Sequence, residues 1–230
     1  MNNVTRVIFG FGIVLCISVS VLALSTVGVP AGSLNQSDEE KWNDGGHLYG
    51  TNRTEYIHVY DFSTGAGTDK WAFRNETTGC SATQPNIEFT TVQYEKINTS
   101  DDTRQDDKTS QDTYYAAHRF NITIIEDASD VRKINVTWEG IGDHGGSATD
   151  GAKLYIYNFS AGAGYEQLDS TTSNTEQTLA GEKTSSISSY INVNNVTILV
   201  NQTSAHTSGP GGRASHIKTD YVKLELHVGD

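Results

Sequence analysis

Polar and apolar positions alternate along most of the chain after residue 54. In Phe120-Asn121-Ile122-Thr123-Ile124 the Phe and Ile side chains fall on one face of an extended strand, and Asn121 and Thr123 on the other. The same spacing sets Ile134, Val136 and Trp138 against Asn135 and Thr137, and Val196, Ile198 and Val200 against Asn195 and Thr197. One buried and one solvated face is the mark of an antiparallel sheet in a sandwich. Strands are predicted over 55–62, 71–75, 113–125, 131–140, 152–160, 164–172, 176–180, 195–203 and 218–228. Residues 86–97 fit a strand or a helical turn, 185–193 hold one helical turn, and 100–112 read as a charged loop. About eight to ten strands separated by turn residues predict an all-β fold, with one sandwich domain over 55–230.

The N-terminus follows another rule. Arg6 precedes VIFGFGIVLCISVSVLAL at 7–24, a run of 18 residues without charge. Residues 1–30 therefore read as a secretory signal peptide or a membrane anchor helix, with membrane contact only through 7–24 if the segment is kept. Either alternative places the rest of the chain outside the cell. Leu15 before Cys16 is too bulky for a lipoprotein signal. Residues 31–54 lack periodicity and read as a polar linker. Beyond the leader only Cys80 remains, so an internal disulfide is excluded; its thiol is inert or pairs between chains.

Composition narrows the partners. A net charge of −12 argues against nucleic acid, which needs a basic footprint. The chain has 16 Asn and 48 Ser plus Thr in 230 residues, for which chance gives about three N-x-S/T triplets. It has ten. Asn3 lies in the leader; Asn35, Asn52, Asn75, Asn98, Asn121, Asn135, Asn158, Asn195 and Asn201 are candidate N-glycosylation sites.

The stretch from HVYDFSTGAGTDKWAF through AAHRFNITI, INVTWEG, GAKLYIYN, TSSISSYIN and TDYVKLEL resembles jelly-roll modules of archaeal cell-surface glycoproteins. Those modules are similar to the galactose-binding-like sandwiches that include carbohydrate-binding modules. The resemblance covers about residues 55–228 and implies a jelly roll. It also implies calcium joining an early strand to the last, which here falls on Asp61 and Asp220. Asp143 and Asp150, in a Gly-rich stretch at 140–151, form a second calcium candidate by residue type. Asp101, Asp102, Asp106, Asp107 and Asp112 read as a solvated acidic loop.

Catalytic patterns are missing. The seven His are scattered without ligand spacing, and neither H-E-x-x-H nor G-x-S-x-G occurs. His118 and His227 read as surface or interface side chains. Three Trp and 11 Tyr suffice for a sugar platform, although most are expected in the core. SGPGGR at 208–213, with Arg213 and His216, is a candidate ligand loop. No enzyme activity and no organic cofactor are expected. The expected role is an exported, N-glycosylated structural protein that self-assembles into a cell-surface filament or layer, through pairing of sheet edges. The alternative is a carbohydrate-binding or adhesion module with a structural calcium.

Overall fold

The alternation becomes two antiparallel sheets packed face to face. A computed structural model describes residues 55–77, 82–109, 111–146, 148–208 and 214–229, all within the Glu55–Asp230 unit. The expectations for 1–30, 31–54, Asn35, Asn52, Cys80 and Arg213 fall outside the described residues. The strands are β1 (Tyr56–Asp61), β2 (Lys70–Thr77), β3 (Ile87–Glu88), β4 (Gln105–Thr109), β5 (Tyr115–Thr123), β6 (Val131–His144), β7 (Ala152–Tyr157), β8 (Tyr165–Ser170), β9 (Gln177–Lys183), β10 (Asn195–Gln202) and β11 (Ser215–Val228). One sheet runs β1-β11-β6-β9, with β4 also on β11; the other runs β3-β2-β5-β10-β7-β8. From β4 to β11 the chain changes sheet at every connection except β7 to β8. Among the described residues no helix is long and apolar enough to cross a membrane.

The inner faces are the apolar sets read from sequence. Phe120 and Ile122 of β5, Ile134, Val136 and Trp138 of β6, and Val196, Ile198 and Val200 of β10 all lie in the buried core. Each such aliphatic or aromatic side chain contributes about 1.5–3 kcal/mol on burial. The ambiguous 86–97 segment is both things at once: β3, then a short helix α1 at Thr91–Tyr94. Thr90-Thr91-Val92-Gln93 has the capping-box spacing, and the Gln93 side chain accepts from the Thr90 amide at 2.9 Å.

Three expectations need correction. The described strands number eleven rather than eight to ten. The acidic stretch at 100–112 is not all loop: β4 pairs with β11 in register from Gln105↔Thr219 to Thr109↔Ser215. Its Gln105 and Thr109 are buried, so a charged sequence supplies an inner face. His118 is no surface residue but is fully buried between the sheets.

His118 belongs to a polar clamp that ties the two sheets. Trp138 of β6 donates through Nε1 to Thr219 Oγ1 of β11 at 2.8 Å. Thr219 Oγ1 lies 2.8 Å from His118 Nδ1 of β5, and His118 Nε2 lies 3.0 Å from Asp107 Oδ2 of β4. The ionised Asp107 carboxylate can only accept, so His118 Nε2 carries a proton and donates to it; with Nδ1 then unprotonated, the Thr219 hydroxyl donates to Nδ1 while accepting from Trp138. Gln105 Nε2 and Arg74 donate to the same carboxylate at 2.8 and 3.1 Å. Burial pushes Asp107 up, but these bonds outweigh it and hold its pKa below the ordinary carboxylate value.

Candidate functional site

The two outer faces differ in kind. On the five-stranded sheet, outward side chains are laced by ion pairs, Lys133–Glu182 at 3.0 Å, Lys223–Glu225 at 3.0 Å and Lys218–Asp143 at 3.5 Å, and by a His216–Asp106 hydrogen bond at 3.1 Å. A groove of about 260 Å³ lies there between Asn135, Thr137, Ala180, Glu182 and Glu225. No aromatic ring lines it. Exposed pairs of this kind add little stability and mark an ordinary solvated surface.

The six-stranded sheet carries a different outer face. Its middle row runs Phe73–Arg119–Leu199–Tyr155–Gln167 through β2, β5, β10, β7 and β8. Five neighbouring strands span about 19 Å at the usual strand spacing. Trp71, Phe73, Tyr115, Tyr155, Tyr157 and Tyr165 stand half-buried on this face. The rings pack on each other edge-on: Tyr157 and Tyr165 centroids are 4.9 Å apart, Tyr155 and Tyr165 6.2 Å. Beneath them Leu199 and Ala117 are buried although they point away from the core. The face thus holds a second apolar layer outside the sandwich.

Its polar groups are unusual. Arg119 is buried, and its guanidinium lies 4.1 Å over the Phe73 ring. It donates to the carbonyls of Pro85 at 2.8 Å and Ala82 at 3.0 Å, and to Asn121 Oδ1 at 2.9 Å. None of these is a carboxylate, and burial lowers the Arg119 pKa. Burial likewise raises the pKa values of Tyr165 and Tyr155. Two buried atoms on this face, Tyr165 Oη and Asn201 Oδ1, have no hydrogen-bond partner among the described residues. Buried polar atoms are nearly always paired, so such orphans mark places where a ligand or water completes the set.

With this geometry in view, the comparisons with known proteins place the chain. A family model described as "AF_1625_C: Uncharacterized protein, C-terminal domain" matches residues 67–228. The chain belongs to this family. The AF_1625_C match thus takes in both sheets from β2 to β11. An uncharacterized protein of Archaeoglobus fulgidus is 34% identical over 109 residues, which are 46% of this chain and 17% of that protein. The chain therefore matches well under two thirds of that relative's length. Among solved structures, the xylan-binding module CBM15 has a TM-score of 0.37 at 9% identity, covering 76% of this chain and 97% of that one. The chain CpGH89CBM32-6 produced by Clostridium perfringens has a TM-score of 0.35 at 7% identity, covering 72% and 98%. The CBM22-1 xylan-binding domain of Paenibacillus barcinonensis Xyn10C has 0.32 at 12%, covering 74% and 92%. At these TM-scores the likenesses say nothing about a ligand of this chain.

The sequence-predicted residues of the AF_1625_C domain scatter over several settings. Asn121, Asn195 and Asn201 lie on the aromatic face, as does Asn75, whose φ is 117°. The repeated Asn/Thr pairs bond each other across β5 and β10. Thr123 donates to Asn195 Oδ1 at 2.8 Å and Thr197 to Asn121 Oδ1 at 3.1 Å, where the register sets each Thr opposite the other strand's Asn. Asn135 lies on the other face, 3.3 Å from His227 Nε2. Asn158 donates to Glu166 at 2.6 Å, and Asn98 accepts from Thr99 at 3.1 Å. Asn201 is 5% exposed.

Of the acidic candidates, Asp61 accepts from Ser63 and, at 3.1 Å, from Tyr221. Asp143 is a strand residue of β6, and Asp150 caps the His144 amide at 2.8 Å. Asp220 instead meets Asp102 and Glu176, with one oxygen of each within 4.8 Å of the others. Arg104 reaches Asp102 at 2.6 Å and Glu176 at 2.5 Å. Among the described residues Asp220 Oδ1 is left buried without a partner, and burial holds its carboxyl above the ordinary range. Hard carboxylate oxygens around an orphaned one suit calcium by donor type, with Arg104 as its competitor. Glu176 carried no sequence signal; only the fold brings it to Asp102.

Proposed function

We propose that this domain binds a saccharide on the outer face of its six-stranded sheet and catalyses nothing. The observation that carries the reading is the layer of half-buried rings from Trp71 to Tyr165, beside the orphaned Tyr165 Oη and Asn201 Oδ1. Aromatic faces take the apolar C–H side of a sugar ring, and fixed amide and phenol groups take its hydroxyls. Among the described residues the ion-paired opposite face has no such layer of rings, and its Tyr221 hydroxyl is bonded to Asp61.

The test is isothermal titration of the full chain with oligosaccharides of several classes, alongside Tyr155→Ala. Binding of at least one class, weakened about tenfold (~1.4 kcal/mol) by Tyr155→Ala, is the expected outcome. No binding, or binding indifferent to Tyr155, overturns it. Glycopeptide mass spectrometry of native protein is a second check. Glycans attached at Asn121 and Asn195 would cover the face and contradict a binding role for it.

Self-assembly rests on one feature. Among the described residues β1 is an edge strand, and its outward Ile57 and Val59 are 54% and 45% exposed. An apolar open edge can accept a strand from another subunit. Light scattering of the full chain without ligand decides this second reading: large polymers support it, and monomers at all concentrations remove it.

A further inference from the structure

The charge on the aromatic face departs from that of the whole chain. The protein has 28 acidic and 16 basic residues. Yet the outward positions of β2, β5, β10 and β7 carry no carboxylate, and their only charged side chains are Arg119 and Lys153; at the sheet's edge, Glu88 of β3 stands opposite Phe73 on the same face. Lys153 is half-buried beside Asn201 in register, and among the described residues its ammonium has no acidic partner. Among the described residues, Arg119 is held by neutral oxygens only. Of the seven other lysines among the described residues, five pair with carboxylates. Where counter-ions are plentiful, two uncompensated cations under an aromatic layer form a site short of negative charge.

We infer that the saccharide this face takes is anionic, bearing a uronate carboxylate or a sulfate group that pairs with Lys153 in the field of Arg119. This rests on the proposed saccharide-binding role and narrows it to a ligand class. Rings hold the sugar planes. Lys153, a point charge on a flexible stem, meets the acid group without demanding one geometry. The buried guanidinium of Arg119 adds long-range attraction that screening by salt reduces. The surrounding acidic surface repels the same ligand elsewhere, which confines it to this face.

The experiment titrates the full chain with three probes of matched length: oligogalacturonides, sulfated galacto-oligosaccharides and neutral xylo-oligosaccharides. Each is measured at low and high sodium chloride, for wild type and Lys153→Met. Lys153→Met keeps most of the apolar stem, and an unchanged Tm shows that it folds. The expected result is that one or both acidic probes bind at least tenfold tighter than the neutral one. Lys153→Met and high salt should each erase most of that preference. Equal affinity for neutral and acidic probes, or a preference untouched by Lys153→Met, overturns the anionic inference and leaves saccharide binding standing. Failure of every probe to bind overturns the saccharide reading itself.

Discussion

Removing one hydroxyl from the clamp between the sheets should destabilise the domain by about 2–4 kcal/mol. Thr219, His118 and Trp138 are all fully buried. Thr219→Val keeps nearly the same shape, so packing changes little. It deletes the acceptor of Trp138 Nε1 and the donor to His118 Nδ1, both at 2.8 Å. Each orphaned buried group costs about 1–3 kcal/mol, and partial relaxation trims the sum. Thr219→Ser retains both bonds and loses one methyl, for about 1 kcal/mol. Urea unfolding of the full chain, followed by circular dichroism at neutral pH, measures both. Thr219→Val costing less than Thr219→Ser would refute the reasoning, because packing rather than hydrogen bonding would then hold the position. An unchanged slope of free energy against urea checks that the unfolded state is the same in both variants.

Three further outcomes are expected. The Asp107 carboxyl is held low in the folded state, so the stability it adds is complete above its unfolded pKa of about 3.9 and is lost as pH falls through the lower folded value. Asp107→Asn should therefore flatten the fall of Tm below about pH 4, and an unaltered acid limb would count against the clamp. Millimolar calcium should raise the Tm of wild type, and Asp220→Asn should abolish the rise; equal Tm in calcium and in EDTA dismisses a metal at Asp102, Glu176 and Asp220. Val193 is 85% exposed with a left-handed φ of 47°, at the first central position of a two-residue turn closed by the Asn192–Asn195 bridge. A β-branched residue is strained there, so Val193→Asn should stabilise by about 1 kcal/mol in the same urea assay, and a loss would imply that Val193 has a packing partner.

Alternation along the chain determined the strands and their faces. That pattern is local: neighbouring side chains must point to opposite sides, so Phe120, Ile122, Trp138 and Ile198 could be assigned to the core from spacing alone. The outward position of Asn121 and Thr123 was legible for the same reason. The bond each makes with Thr197 and Asn195 was not, because it needs the pairing of β5 with β10 across more than seventy residues. Tertiary structure alone decided that Gln105 and Thr109, in a stretch of charge, face inward, since Arg74 pairs with Asp107 and His118 donates to it from the other sheet. It also decided which outer face is aromatic and poor in acid, with Glu88 only at its β3 edge. Trp71, Arg119, Leu199, Tyr155 and Tyr165 come from five strands whose order in the sheet is not their order in the chain. Local sterics set where a side chain points; the sheet's topology sets what stands beside it, and a binding face is made of neighbours.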